Sequence, residues 1–260
     1  MSDLHGSPIW YELMTPDPDA TGAFYGPILG WTITPMAAGA ADYRVIATPD
    51  GGVGGLFALS PAMVDQGVHA AWLMYVGVDD VDATAAAVKA AGGAIARPAW
   101  DVPGIGRMAM LADPQGAPFY VMTPSPPAGE GGENNAFSPR LLGHCTWNEL
   151  RTTDLDAAIG FYRSLFDWAQ TGAMSMGPAG DYLFLNKGDL PIGAAMGGAS
   201  ADQPPHWIHY FRVAAIDDAL VAVKKGGGIV VTGPHDVPGG DRVIICRDPH
   251  GAGVGFVARG

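Results

Sequence analysis

The sequence predicts an α+β protein made of four strand–helix–three-strand units in tandem. Three observations lead there. The stretch Trp147-Asn-Glu-Leu-Arg-Thr-Thr-Asp-Leu-Asp-Ala repeats Trp10-Tyr-Glu-Leu-Met-Thr-Pro-Asp-Pro-Asp-Ala, and both run on to a Phe-Tyr pair, Phe24-Tyr25 and Phe161-Tyr162. Trp10, Glu12, Asp17 and Tyr25 recur at one constant offset, which marks an internal repeat. Within the first half, Asp17-x-Asp19-Ala20-Thr21 is echoed by Asp80-x-Asp82-Ala83-Thr84, so each half is itself double. Between the halves, residues 125–140 are rich in Pro, Gly, Ser and Asn without periodicity and read as a linker joining modules 1–124 and 141–260.

Pro8 to Thr15 alternates as a strand, with Trp10, Glu12 and Met14 on one face and Tyr11 and Leu13 on the other. Asp17 and Asp19 then supply N-cap chemistry, Pro18 suits a first helical turn, and Gly30 closes the helix. Strands follow at Trp31–Pro35, Tyr43–Thr48 and Val53–Leu59, with a turn at Pro49-Asp-Gly-Gly52. The second unit has a strand at His69–Val78 and a helix capped near Asp79–Thr84 that stops at Gly92-Gly93. Its remaining strands are Ala94–Arg97, Gly106–Ala112 and Pro118–Met122, the last entered through the Asp113-Pro-Gln-Gly116 turn. The second half answers in order: Asp181-Tyr182 to Asp42-Tyr43, Trp207-Ile-His-Tyr210 to Trp72-Leu-Met-Tyr75, Asp236-Val-Pro-Gly239 to Asp101-Val-Pro-Gly104, and Asp248-Pro-His-Gly to Asp113-Pro-Gln-Gly.

Apolar residues make up 48% and charged residues 15%, enough for a packed core and too few charges for extended disorder. The formal net charge of −12 argues against nucleic-acid binding, which needs clustered Lys and Arg. No apolar run approaches the length of a membrane span and no signal peptide precedes Met1, so a cytoplasmic protein is expected, with no membrane partner. Cys145 and Cys246 form no framework or CxxC spacing and read as core residues. The Gly51–Gly55 run has no following Lys-Ser/Thr and no helix start, so it is a turn and a tightly packed strand rather than a phosphate loop.

Taken together, these motifs resemble the vicinal oxygen chelate superfamily of glyoxalases, bleomycin-resistance proteins and extradiol dioxygenases. They include the Asp-x-Asp helix start, Phe-Tyr, and Asp-Pro-x-Gly before the last strand of each module. The resemblance covers nearly the whole chain outside the linker and is similar to a tandem two-module, glyoxalase-like branch. It implies that two units pair into a curved eight-stranded sheet with outer helices around a pocket, hence two such sheets here. Metal-dependent members place His and Glu on the first, fourth, fifth and eighth strands of a module, where a divalent cation acts as a Lewis acid. The corresponding positions here are Trp10 and Trp147, the neighbourhoods of Leu56–Phe57 and Ala195–Met196, Leu73 and Ile208, and Tyr120 and Gly255. None is a metal ligand, so no metal and no other cofactor is expected. His209 alternates away from Ile208 and Tyr210, His206 enters a strand, His144 begins one, and His235 and His250 are placed in turns. A one-residue slip in register would turn His209 inward.

The inward set is then Trp10, Glu12 and Met14 in the first module and Trp147, Glu149 and Arg151 in the second, joined by Leu73, Tyr75 and Gly77, and by Ile208, Tyr210 and Arg212. A carboxylate inside a sheet needs a partner, and beside aromatic rings it has the chemistry of a general base. Glu149 and Glu12 are the candidate catalytic residues. Either they act on a ligand, or they bond to a backbone amide or a tyrosine and only fix the module. Trp10, Tyr75, Tyr120, Trp147, Arg151, Ile208, Tyr210 and Arg212 are the candidate ligand-binding residues. Arg151 either holds an anion with its fork or pairs with Glu149. The expected function is binding, and as an enzyme metal-independent turnover, of a small polar or aromatic metabolite. A metal-dependent lyase or dioxygenase, and a sequestering resistance protein without turnover, are the alternatives. The two modules already supply an internal pseudo-dimer, so a monomer is expected. Either the first unit pairs with the second, or it pairs with the fourth.

Overall fold

The computed structural model describes residues 4–36, 42–125 and 134–260; half of the expected linker, 126–133, lies outside these. The chain forms β1 (Pro8–Thr15), α1 (Pro18–Leu29), β2 (Thr32–Pro35), β3 (Tyr43–Thr48), β4 (Gly51–Ala58), α2 (Pro61–Asp65), β5 (Ala71–Gly77), α3 (Val81–Ala90), β6 (Ala94–Val102), β7 (Gly106–Ala112) and β8 (Pro118–Pro124). The second half follows with β9 (Cys145–Arg151), α4 (Leu155–Phe166), β10 (Trp168–Ser175), β11 (Asp181–Lys187), β12 (Leu190–Met196), β13 (His206–Arg212), α5 (Ile216–Lys225), β14 (Ile229–Val237), β15 (Asp241–Arg247) and β16 (Gly253–Arg259). Two eight-stranded mixed sheets result, with strand orders β2-β3-β4-β1-β5-β8-β7-β6 and β10-β11-β12-β9-β13-β16-β15-β14, neither closed on itself.

Local chemistry sets these boundaries. Asp17, Asp80 and Asp154 each sit in extended backbone and accept the amide of the residue three ahead, which satisfies one orphan N–H at the head of α1, α3 and α4. The fourth helix of the repeat, α5, departs from this: Ala215 stands at its N-cap and the acidic charge moves to Asp217 and Asp218 in the first turn. Gly30 closes α1 in the left-handed region, as expected. The short α2 was not expected; Ser60 caps it and Pro61 opens it. His235, placed in a turn from sequence, lies inside β14, because β6 and β14 extend further along the sheet edge than their apolar runs indicate.

By packing, the chain divides into two compact units. One comprises residues 1–9, 74–133 and 148–207, and so holds the second and third repeats. The other comprises residues 10–73, 134–147 and 208–260, and holds the first and fourth. In the latter α1 packs on α5, and in the former α3 packs on α4. The repeated Phe-Tyr and Asp-Pro-x-Gly motifs meet here. In the first–fourth unit the Tyr25 hydroxyl donates to Asp248 Oδ2 at 3.2 Å and accepts from Trp72 Nε1 at 3.1 Å. In the second–third unit Tyr162 donates to Asp113 Oδ2 at 3.2 Å and accepts from Trp207 Nε1 at 3.1 Å. Both tyrosines and both aspartates are buried, and each aspartate also accepts backbone amides of its own turn. The duplicated signature is therefore a fastening between repeats, worth about 1 kcal/mol per hydrogen bond and more if a partner is orphaned.

Candidate functional site

β9 carries Glu149 and Arg151 two residues apart, hence on one face. The Glu149 carboxylate is 4% exposed. Arg151 Nε donates to its Oε1 at 2.7 Å, and the Tyr182 hydroxyl of β11 donates to its Oε2 at 2.9 Å. Register explains the reach: Glu149 lies beside Ala194 of β12 and Tyr182 lies opposite Met196 of the same strand, so the phenol reaches the carboxylate diagonally across β12. The Arg151 side chain is 28% exposed, and its terminal nitrogens make no further bond among the described residues. Of the two readings left open for Arg151, the structure forms the ion pair.

The first module repeats the frame with other chemistry. Glu12, 5% exposed, is in register with Gly55 of β4, and Trp10 Nε1 donates to the Tyr43 hydroxyl at 2.9 Å. The Tyr43 hydroxyl occupies the space a side chain at Gly55 would fill, so glycine is required where β3 leans its phenol over β4. Met14 stands where the second module has Arg151, so Glu12 has no arginine two places along its strand.

The fifth and eighth strands of each module, β5 with β8 and β13 with β16, carry tyrosines packed against their register neighbours. Tyr75 and Tyr120 are register neighbours on β5 and β8, stacked with centroids 4.2 Å apart. On β13 the Tyr210 ring covers Gly255 of β16, in the volume a side chain there would need. Ile208, Tyr210 and Val257 form a buried cluster against Trp147, Val243 and Ile245. Arg212 is committed to Asp241 at 2.9 Å. His209 is fully buried and meets the edge of Tyr11, on the face opposite Ile208 and Tyr210. His144 is bonded at both ring nitrogens, to Thr48 and to the Asn135 carbonyl. Among the described residues no three His, Cys, Asp or Glu side chains converge to hold a metal, and this donor set does not fit one. Cys145 and Cys246 are buried thiols outside any disulfide, each pushed up to about 12 by burial.

Sequence reasoning missed Tyr182 and Tyr43 as site residues. The signal was present, since Asp42-Tyr43 and Asp181-Tyr182 repeat, but strand-face counting alone does not show that a phenol crosses a neighbouring strand. It also ranked the Asp-Pro-x-Gly turns as markers only, although Asp113 and Asp248 are buried acids whose carboxyls burial pushes above the ordinary value.

The sequence profile of the glyoxalase/bleomycin resistance protein/dioxygenase superfamily matches residues 8–121 and 141–256. The anthracycline biosynthesis protein DnrV of Streptomyces peucetius is 32% identical over 265 residues, covering 97% of this chain and 93% of DnrV. CFP32 of Mycobacterium tuberculosis is 31% identical over 249 residues, covering 95% of this chain and 92% of CFP32. Among solved structures, homoprotocatechuate 2,3-dioxygenase from Arthrobacter globiformis superposes with a TM-score of 0.68 at 16% identity, over 97% of this chain and 79% of that one. The Mn(II)-bound glyoxalase from Novosphingobium aromaticivorans gives 0.64 at 16% identity, over 98% and 82%. These two share the fold; the profile match over both halves and the full-length relatives carry the family. The chain belongs to the glyoxalase/bleomycin resistance protein/dioxygenase superfamily.

Proposed function

We propose that this chain binds a small polar or aromatic metabolite and that Glu149, in place of a metal, supplies its acid–base chemistry. The observation that carries this is the Glu149 carboxylate, buried on the first strand of the second module and held by Tyr182 and Arg151. A carboxylate so held has a fixed orientation toward a ligand. A proton leaving a substrate carbon or hydroxyl would pass to Glu149. The terminal nitrogens of Arg151, not bonded to Glu149, would meet the oxygen on which negative charge develops. The names of DnrV and DauV place those relatives in anthracycline biosynthesis, which supports a fused-ring aromatic ligand for this chain too. We expect protein purified without chelator or added metal to contain no stoichiometric Zn, Ni, Mn or Fe by elemental analysis; one metal per chain would reject the metal-free reading.

One observation favours a second reading, sequestration without turnover. Both oxygens of Glu149 already have protein partners, so the cluster can be a fixed recognition element. Incubation with an anthracyclinone followed by mass spectrometry separates the two: turnover gives a new mass, and sequestration returns the compound unchanged.

A further inference from the structure

We infer that the first module carries its own ligand site, built on Arg97 and Trp100, for a planar aromatic acid. This site does not depend on the reading of Glu149. Arg97 and Trp100 are three residues apart on β6, a spacing that puts side chains on opposite faces of a regular strand. Two register shifts against β7, one between Ile95 and Arg97 and one between Arg97 and Trp100, bring both to one face, where the Arg97 guanidinium lies 3.7 Å over the indole ring. Pro98 sits between them, which an edge strand tolerates.

The same device recurs in β14, with shifts between Val230 and Thr232 and between Thr232 and His235. There the two re-aimed side chains are Thr232 and His235, hydrogen-bonded at 2.7 Å. The fold thus keeps a doubly bulged edge strand in both modules and changes only what it presents. Bulges commonly re-aim a side chain beside a functional site.

In the first module that side chain completes a ladder of rings. Trp100 meets Tyr120 edge-on at 6.2 Å, and Tyr120 stacks on Tyr75 at 4.2 Å. Met108 and Met110 of β7 lie in register with Trp100 and Arg97 and add polarisable, adaptable surface. Trp100 is half-buried and Arg97 exposed, so the ladder opens outward at its charged end. Arg44, Arg107, Arg151, Arg212, Arg242 and Arg259 are all paired with carboxylates. Arg97, like Arg140, Arg163 and Arg247, has none among the described residues, but it alone of these four lies over an aromatic ring. A guanidinium on an indole, without an anion, above a wall of rings and thioethers recognises a flat aromatic ring bearing a carboxylate: the ring packs on the wall and the fork takes the acid.

The test is calorimetric titration of the full-length protein with anthraquinone-2-carboxylate and with neutral 2-(hydroxymethyl)anthraquinone. We expect the acid to bind about tenfold tighter than the neutral compound. Arg97→Gln, at an exposed position that leaves the fold intact, should abolish that preference and leave the neutral compound unchanged. Trp100→Leu should weaken both, while Thr232→Val in the other bulge should alter neither. No saturable binding to the wild type, or a preference that survives Arg97→Gln, overturns the proposal. Loss of acid binding in Glu149→Gln also overturns it, by moving the anion to the second module, and leaves the Glu149 proposal standing.

Discussion

Glu149 shows how a charge survives inside a sheet: both oxygens are answered, one by Arg151 and one by Tyr182. Glu149→Gln keeps an amide oxygen for one partner only, so we expect a loss of about 1–2 kcal/mol in urea unfolding, with turnover or ligand affinity falling at least about tenfold, or about 1.4 kcal/mol. A large fall in stability with ligand binding intact would mean that the residue only braces the module. Asp113 and Asp248 set the opposite problem. Burial pushes both carboxyls up, against the backbone and tyrosine hydrogen bonds that draw them down. A carboxyl raised in the folded state favours folding when protonated. Its contribution is full below the unfolded value of about 3.9 and is lost as pH rises through the folded value. The stability advantage of the wild type over Asp248→Asn should therefore shrink as pH rises above about 4 in paired urea titrations. An advantage that widens over this range would show that the hydrogen bonds outweigh burial.

At the scale of elements, the repeated motifs are fastenings more than chemistry. Tyr162 ties α4 to the turn before β8 and to the start of β13. Tyr162→Phe strands both Asp113 Oδ2 and Trp207 Nε1, and should cost about 1–3 kcal/mol by chemical denaturation. The result should be matched by Tyr25→Phe, because Asp248 and Trp72 repeat the arrangement. Glycines in the strands tell a similar story about contact between neighbours. A methyl at Gly255 would enter the Tyr210 ring, whereas one at Gly253 on the same strand meets nothing. Gly255→Ala should thus lower stability by about 1–3 kcal/mol through overpacking, with Gly253→Ala near neutral in the same melting experiment.

For the whole molecule, each compact unit joins one repeat from each half of the sequence. Cutting the chain in the linker would leave both halves without the partner repeats their buried aspartates and tyrosines need. We expect an isolated module, residues 1–124, to lack a cooperative melting transition that the full chain shows; a native-like transition for the fragment would contradict this. We propose that the full chain sediments as a monomer, since it already holds both modules. No helix among the described residues is long and apolar enough to cross a membrane.

The sequence alone determined the repeat, the α+β class and most element boundaries, because caps, turns and alternation are local: Asp17, Gly30, β1 and β7 follow from a few adjacent residues. Strand alternation also placed Glu149 and Arg151 on one face, where the structure pairs them. The tertiary structure decided what those faces meet. That Tyr182 reaches Glu149, that Tyr25 fastens to Asp248 far along the chain, and that the first repeat packs with the fourth are non-local facts. Either pairing of the repeats buries an apolar helix stripe equally well by pattern. The bulges of β6 lay beyond reach for the same reason: alternation assumes an unbroken ladder, and only the partner strand shows where Arg97 and Trp100 leave it.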